Sequence, residues 1–274
     1  MTNIKLIALD LDGTLLNSDK QLTPENAAAL EKAASAGIEI VPATGRFYLG
    51  MPEFIRALPY VHYVIAINGA QIWDVRGKQS IQAAEIPWRR AIEIMEYLDT
   101  MPIIYDCYMD GWGWMTQALY DQAERFAPSA HSLKMIRELR TPVPELKAHI
   151  AGKQHDVQKI QMFFEDMDLR ARAMRELAER FPDTAVTSSI PRNVEVNSRE
   201  AQKGSALLRL AAHLGLRPEQ TMAFGDDLND ISMLQNAGIG VAMGNAAPEA
   251  KAAADYVTLS CDENGVAEAF SRLL

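Results

Sequence analysis

Cysteine is scarce: the 274-residue chain has two, Cys107 and Cys261, far apart and in no CxxC pattern. A disulfide-stapled miniprotein is excluded, and two buried, reduced thiols in a cytoplasmic protein are the expectation. Positive charge is short as well. Lys and Arg number 27 against 36 Asp and Glu, a formal net charge of −9, and no basic run exceeds Arg89-Arg90. A binder of nucleic-acid backbones needs a basic patch or stripe, so nucleic acid is not an expected partner. A small phosphorylated substrate stays possible if local cations or a metal offset its charge. Long apolar runs are missing too. None approaches the ~18 residues of a membrane span, so no membrane contact is expected. The apolar run before Asp10 is too short for a signal-peptide core.

What is present is ordinary globular material: 48% apolar and 23% charged residues, in a chain long enough for one large domain or two smaller ones. Ile4 to Leu9 is a short apolar run broken only by Lys5 and predicts a strand buried on both faces. Thr23-Pro24-Glu25 opens a helix, with Thr as N-cap and Pro in the first turn, and Gly37 stops it. Further strands are expected at 38–41 and 63–67. This alternation reads as a parallel α/β sheet. From about Glu85 aromatics and Met become dense. Asp110-Gly111 marks a hairpin, 157–164 a strand, 168–180 an amphipathic helix, and 184–188 with 193–196 a further strand pair. That third reads as α+β. The helix–strand rhythm returns with a helix at 203–214, strands at 221–224 and 239–242, a helix at 247–254 and a last strand at 256–259. The expected architecture is a doubly wound, Rossmann-like α/β core of residues 1–83 plus 191–274, with an α+β domain of residues 84–190 inserted.

In an open parallel sheet, ligands bind beyond the carboxyl ends of the strands, where strand order reverses. The first strand delivers Asp10 and Asp12 there, the second Thr44, and the 221–224 strand Asp226, with Asp227 and Asp230 close behind. Carboxylates gathered at one sheet edge repel one another unless a hard cation sits among them, and oxygen-only ligands point to Mg²⁺. Singly, each has a structural explanation: Asp227 and Asp230 can cap the helix that follows. Three strand ends converging on acids and a hydroxyl are harder to explain that way.

The order Asp10-Leu11-Asp12-Gly13-Thr14, Thr44-Gly45-Arg46, Lys203-Gly204, Gly225-Asp226-Asp227-Leu228-Asn229-Asp230 resembles the haloacid dehalogenase superfamily. More narrowly it is similar to the Cof-type phosphatases of subclass IIB, whose large α+β cap lies between the second and third motifs. Glu200 and Gln202 depart from the pattern, standing where many members have Gly and Ser or Thr. The resemblance implies a Mg²⁺-dependent phosphatase of small phosphorylated metabolites such as sugar phosphates, working through an aspartyl-phosphate. Asp10 would be the nucleophile and Asp12 the general acid and then base. Thr44, Gly45, Lys203 and Asn229 would contact the phosphate. Asp10, the Asp12 main-chain carbonyl and Asp226 would hold the metal, and Asp230 its water shell. Elementary chemistry agrees, since a carboxylate attacking an anion needs neutralising charge and in-line positioning. Gly13 would permit the turn that carries Asp12 over the site.

Rival motifs are missing. The sequence has no GxxxxGK[ST], no GxSxG and no HExxH among its five histidines, and Gly238-x-Gly240 precedes a strand where a dinucleotide fingerprint needs a helix. A phosphomutase or phosphotransferase, and a non-catalytic phospho-ligand sensor, remain as alternatives. In the inserted third, Tyr108, Trp112 and Trp114 either line a substrate pocket or, as the favoured reading, pack on their own domain. Arg46 either assists substrate binding or pairs with an acid. Met135, Met162 and Met167 read as core filler.

Overall fold

The computed structural model describes residues 3–127, 129–188 and 192–274. In chain order its strands are β1 (Leu6–Leu9), β2 (Glu39–Pro42), β3 (Tyr63–Ala66), β4 (Gln71–Asp74), β5 (Gln79–Ala83), β6 (Ile104–Met109), β7 (Trp112–Thr116), β8 (Arg140–Val143), β9 (Lys159–Phe163), β10 (Thr184–Thr187), β11 (Asn193–Ser198), β12 (Thr221–Gly225), β13 (Ile239–Ala242) and β14 (Tyr256–Val257). The chain divides into two units, Met1–Ala83 with Gln202–Leu274, and Ala84–Ala201.

In the first unit β1 is buried at every position. A strand with no polar face belongs inside a sheet covered on both sides. It lies in the order β14-β13-β12-β1-β2, with all pairs parallel. The chain passes from β1 to one side for β2 and to the other for β12 to β14, so strand order reverses beside β1. Leu207 and Leu210 of helix Lys203–His213 pack on one face with Leu6, Ala8, Val41 and Ala223. On β12, Phe224 meets Phe270 of helix Gly265–Leu273, ring centroids 5.5 Å apart. Helix Pro24–Ser35 starts as its sequence predicts: the Thr23 hydroxyl accepts from Asn26 N–H at 3.3 Å, and Gly37 ends it at φ +81°.

The third strand corrects the expectation of a continuing parallel sheet. β3 touches the end of β2 through a single parallel bridge, Ala43 to Ile65, and is built instead into an antiparallel three-stranded sheet, β3-β4-β5.

The second unit is a six-stranded sheet, β10-β11-β9-β6-β7-β8, antiparallel except for β7 with β8. Asp110 (φ 58°) and Gly111 (φ 72°) form the hairpin between β6 and β7, both left-handed as a two-residue turn of this class requires. Helices Trp88–Leu98, Leu146–Lys153 and Met167–Arg180 supply Ile94, Leu98, Ile150, Ala173 and Leu177 to a core shared with Cys107, Met109, Ile160, Met162, Val194 and Val196. The return to the first unit was expected between residues 190 and 191. Residues 190 and 191 lie outside the described residues, and the second unit runs on to Ala201, because β11 pairs with β9 and β10. Cys107 and Cys261 are buried free thiols. Met162 is buried and Met135 half-buried, but Met167, the first residue of its helix, is 47% exposed and fills no core.

Candidate active site

Asp10 leaves β1 at the carboxyl edge of the parallel sheet, its N–H donating to the Phe224 carbonyl at 3.0 Å. Its Oδ1 accepts from Lys203 Nζ at 2.7 Å, and the same ammonium donates to Asp230 Oδ1 at 2.6 Å. Lys203, the first residue of its helix, is fully buried, as is Asp230. Asp10, Asp226 and Asp230 each bring a carboxylate oxygen within 4.8 Å of the others. Three carboxylates against one ammonium leave an excess of negative charge that a divalent cation would balance, and the donors are oxygen only.

Ionisation reflects that imbalance. Burial pushes the Asp10 carboxyl well up; Lys203 opposes this, while Asp230 and Asp226 add to it. Burial, then the charge of Asp230, pushes Asp226 up to about 7, against the Thr14 hydroxyl and Lys203. Burial works against the charge on Lys203, but Asp10 and Asp230 outweigh it and hold the ammonium firmly protonated.

The loop after β12 is shaped by its own acids. Asp230 Oδ2 accepts from Asp226 N–H at 2.9 Å and Asp227 N–H at 3.1 Å, and Asp227 Oδ1 accepts from Leu228 N–H at 2.7 Å. Asp227 is thus the helix-capping residue its position allowed. Asp230 both closes the loop and pairs with Lys203. On the facing loop, Thr14 Oγ1 donates to Asp226 Oδ1 at 2.8 Å. Gly13 sits at φ +95°, and a Cβ there would stand 2.4 Å from Asp226 Oδ2. No other residue allows both that backbone and that approach. Asn245 Nδ2 donates to the Gly13 carbonyl at 2.8 Å, pinning the same turn from β13's side.

Asp12 turns away from this cluster. Its carboxylate takes a fork from Arg46, Nε to Oδ2 at 2.9 Å and Nη2 to Oδ1 at 2.8 Å, with Lys20 Nζ at 3.1 Å. Burial alone would raise its pKa, yet Arg46 and Lys20 outweigh it and hold the carboxyl below the usual range. The expected metal contact of Asp12 was its main-chain carbonyl, which this side-chain pairing leaves unaltered. Arg46 thus pairs with Asp12, a candidate catalytic acid.

Thr44 is buried, and its Oγ1 accepts from Arg46 N–H at 3.2 Å. Gly45 lies beside Asn68, whose Oδ1 accepts from Asn229 Nδ2 at 3.1 Å. The loops after β1, β2 and β12 thus gather Asp10, Asp12, Thr44, Gly45, Asp226, Asn229 and Asp230 at one edge, with Lys203 entering from its helix. Thr14, Asn68 and Asn245 were not foreseen. Asn68 carried a usable signal: like Thr44, it comes two residues after the end of its strand.

The aromatic residues of the second unit serve that unit. Tyr108 is buried, its hydroxyl accepting from Arg140 Nη2 at 2.9 Å and donating to Gln161 Oε1 at 3.3 Å. Trp112 Nε1 donates to Thr141 Oγ1 at 2.9 Å. Trp114 Nε1 donates to the Met109 carbonyl at 3.1 Å, and its ring lies 4.5 Å from that of His149. Among the described residues no helix is long and apolar enough to cross a membrane.

Comparison with known proteins shows the family. A family model for haloacid dehalogenase-like hydrolases matches residues 7–270. The chain is 36% identical to the phosphatase YwpJ of Bacillus subtilis, over 99% of this chain and 100% of that protein. It is 33% identical to the 5-amino-6-(5-phospho-D-ribitylamino)uracil phosphatase YcsE of the same organism, over 97% of this chain and 94% of that one. The structure of a haloacid dehalogenase-like hydrolase from B. subtilis superposes with a TM-score of 0.85 at 35% identity, covering 99% of this chain and all of that one, 100%.

Proposed function

The chain belongs to the haloacid dehalogenase-like hydrolases, and from that premise we propose that it hydrolyses phosphate monoesters of small metabolites through a phosphorylated Asp10, with Mg²⁺ held by Asp10, Asp226 and the Asp12 carbonyl. The observation that carries the reading is the buried Asp10–Lys203–Asp230 chain of contacts with Asp226 alongside. It gathers more carboxylate than its one cation can neutralise, at the sheet edge where ligands of such folds bind. Mg²⁺ bound there supplies charge neutralisation for an anionic substrate.

The chain's own residues divide the remaining work. Asp10 attacks phosphorus, and the bond from phosphorus to the ester oxygen breaks as the new one forms. Lys203 neutralises Asp10 and the incoming phosphate together. Thr44, Gly45 and Asn229 hold the phosphoryl oxygens in line. Asp12 gives a proton to the departing alkoxide, then takes one from the water that releases phosphate from Asp10. Resting Asp12 is held ionised beside Arg46 and Lys20, so before the donating step it must leave that fork and take up a proton from solvent water. Asp230, already accepting from two backbone amides and Lys203, would hold the metal's water shell. The Ala84–Ala201 unit would select among substrates.

Specificity for a phosphorylated polyol or sugar-like metabolite is consistent with the ribitylamino-uracil phosphatase among the relatives. A panel of phosphorylated metabolites, assayed for inorganic phosphate release, tests the function. Turnover is expected with Mg²⁺ and lost in excess chelator. Full turnover in chelator, or no release from any monoester, contradicts the reading.

A further inference from the structure

The turn after β3 is strained. Ile67, Asn68 and Gly69 follow one another at φ 54°, 57° and 91°, all left-handed. Glycine accepts that region and asparagine tolerates it, but a β-branched isoleucine there is an outlier. Such conformations are costly and persist where the surroundings over-determine them. Here the surroundings are backbone. Thr44 N–H donates to the Ile65 carbonyl at 2.8 Å, Asn68 N–H to the Thr44 carbonyl at 3.0 Å, and Ile67 N–H to the Arg46 carbonyl at 3.0 Å. On its other side, Gly69 is pressed against the peptide preceding Lys203: a Cβ on it would stand 2.4 Å from the Gln202 carbonyl oxygen. The turn therefore ties the loop bearing Thr44 to the helix start bearing Lys203.

From this turn the Asn68 side chain, 3% exposed, reaches the two remaining phosphate candidates. Its Oδ1 lies 3.0 Å from the place a Cβ on Gly45 would take, and it accepts from Asn229 Nδ2 at 3.1 Å. We propose that Asn68 is a positioning residue of the phosphate site: its carboxamide fixes the Asn229 amide so that the second N–H of that amide is presented to the phosphoryl group. The proposal rests on the reading of Asn229 as a phosphate contact. A carboxamide nitrogen has two N–H donors in one plane. Committing one to Asn68 sets the plane, and so the direction of the other. Without that bond the amide turns about its last torsion, whose preferences are broad. Gly45 belongs to the same device, because a side chain there would occupy the place of the Asn68 oxygen.

Asn68→Gly separates the turn from the side chain, since glycine accepts the left-handed backbone while the whole side chain, carboxamide included, is removed. The full-length Mg²⁺-loaded protein is compared as wild type, Asn68→Gly, Asn229→Ala and the double variant. The readouts are hydrolysis of an aryl phosphate, inhibition by inorganic phosphate, and Tm. Asn68→Gly is expected to lower kcat/KM and phosphate affinity roughly three- to tenfold, the worth of one hydrogen bond, with Tm near wild type. In the Asn229→Ala background it is expected to cost nothing further. Losses that add fully in the double variant overturn the proposal and leave the Asn229 reading standing. So does a lowered Tm with unchanged phosphate affinity, which marks a structural role. Wild-type behaviour of Asn229→Ala removes the reading of Asn229, and the proposal with it.

Discussion

Asp226 shows how one residue carries the electrostatics of the site. Its carboxyl is raised to about 7 by burial and by Asp230. A carboxyl whose folded pKa is raised favours the folded state below its ordinary value near ~4, and that contribution is lost as pH rises through the folded value. Metal-free protein should therefore lose stability between about pH 4 and about pH 7 on account of Asp226. Mg²⁺ should restore more at pH 8 than at pH 5, because a cation competes with protons for the same oxygens. Thermal melts across this range, with and without Mg²⁺, are expected to show a Tm that falls with pH in chelator by a few degrees. The fall should be much reduced in Asp226→Asn. An apo Tm that rises with pH in wild type and variant alike would contradict this. The acids themselves were legible in the sequence, as strand-end residues and by motif. Their partners were not: Thr14 on Asp226, Lys20 on Asp12 and Asn68 on Asn229 depend on loops that meet only once the sheet has formed.

At the scale of elements, legibility followed burial. β1, β12 and β13 are short apolar runs with buried interiors, and their pattern announces them. β5 is Gln-Ser-Ile-Gln-Ala, largely exposed, with nothing in its pattern to mark a strand. β8 contains Pro142, a residue that argues against strands away from an edge; β8 is an edge strand. It carries Arg140, whose Nε pairs with the buried carboxylate of Asp106 at 2.9 Å. The guanidinium reaches Asp106 by crossing β7 at Gly113, where a Cβ would stand 2.4 Å from Arg140 Cδ and 2.4 Å from the Leu139 carbonyl. Gly113→Ala should displace Arg140 and leave Asp106 buried without its partner, at a cost of about 3–5 kcal/mol. Chemical denaturation is the measurement, and Asp106→Asn in the same background should recover part of the loss. A Gly113→Ala protein as stable as wild type would show that Arg140 reaches Asp106 by another path.

For the whole molecule, the sequence rhythm foretold an α/β core interrupted by an α+β segment, and the structure has both architectures. It could not foretell that β3 would leave the parallel sheet, because a buried strand reads alike in either setting. The inserted unit has its own six-stranded sheet and its own apolar core. Residues 84–201 expressed alone are therefore expected to fold, with dispersed amide resonances and a cooperative melt. A collapsed, non-cooperative fragment would show that its core is insufficient by itself.

The central claim is that phosphate passes through Asp10. Rapid acid quench during turnover of an ester with a good leaving group, followed by intact-mass measurement and peptide mapping, tests it most directly. A single phosphate adduct on Asp10 is expected in the wild type. It should accumulate in Asp12→Asn, which slows the water step by roughly 10²–10⁴-fold, and be absent in Asp10→Asn. An adduct on the Asp10→Asn protein, or one mapped to any other residue of the wild type, would contradict the account.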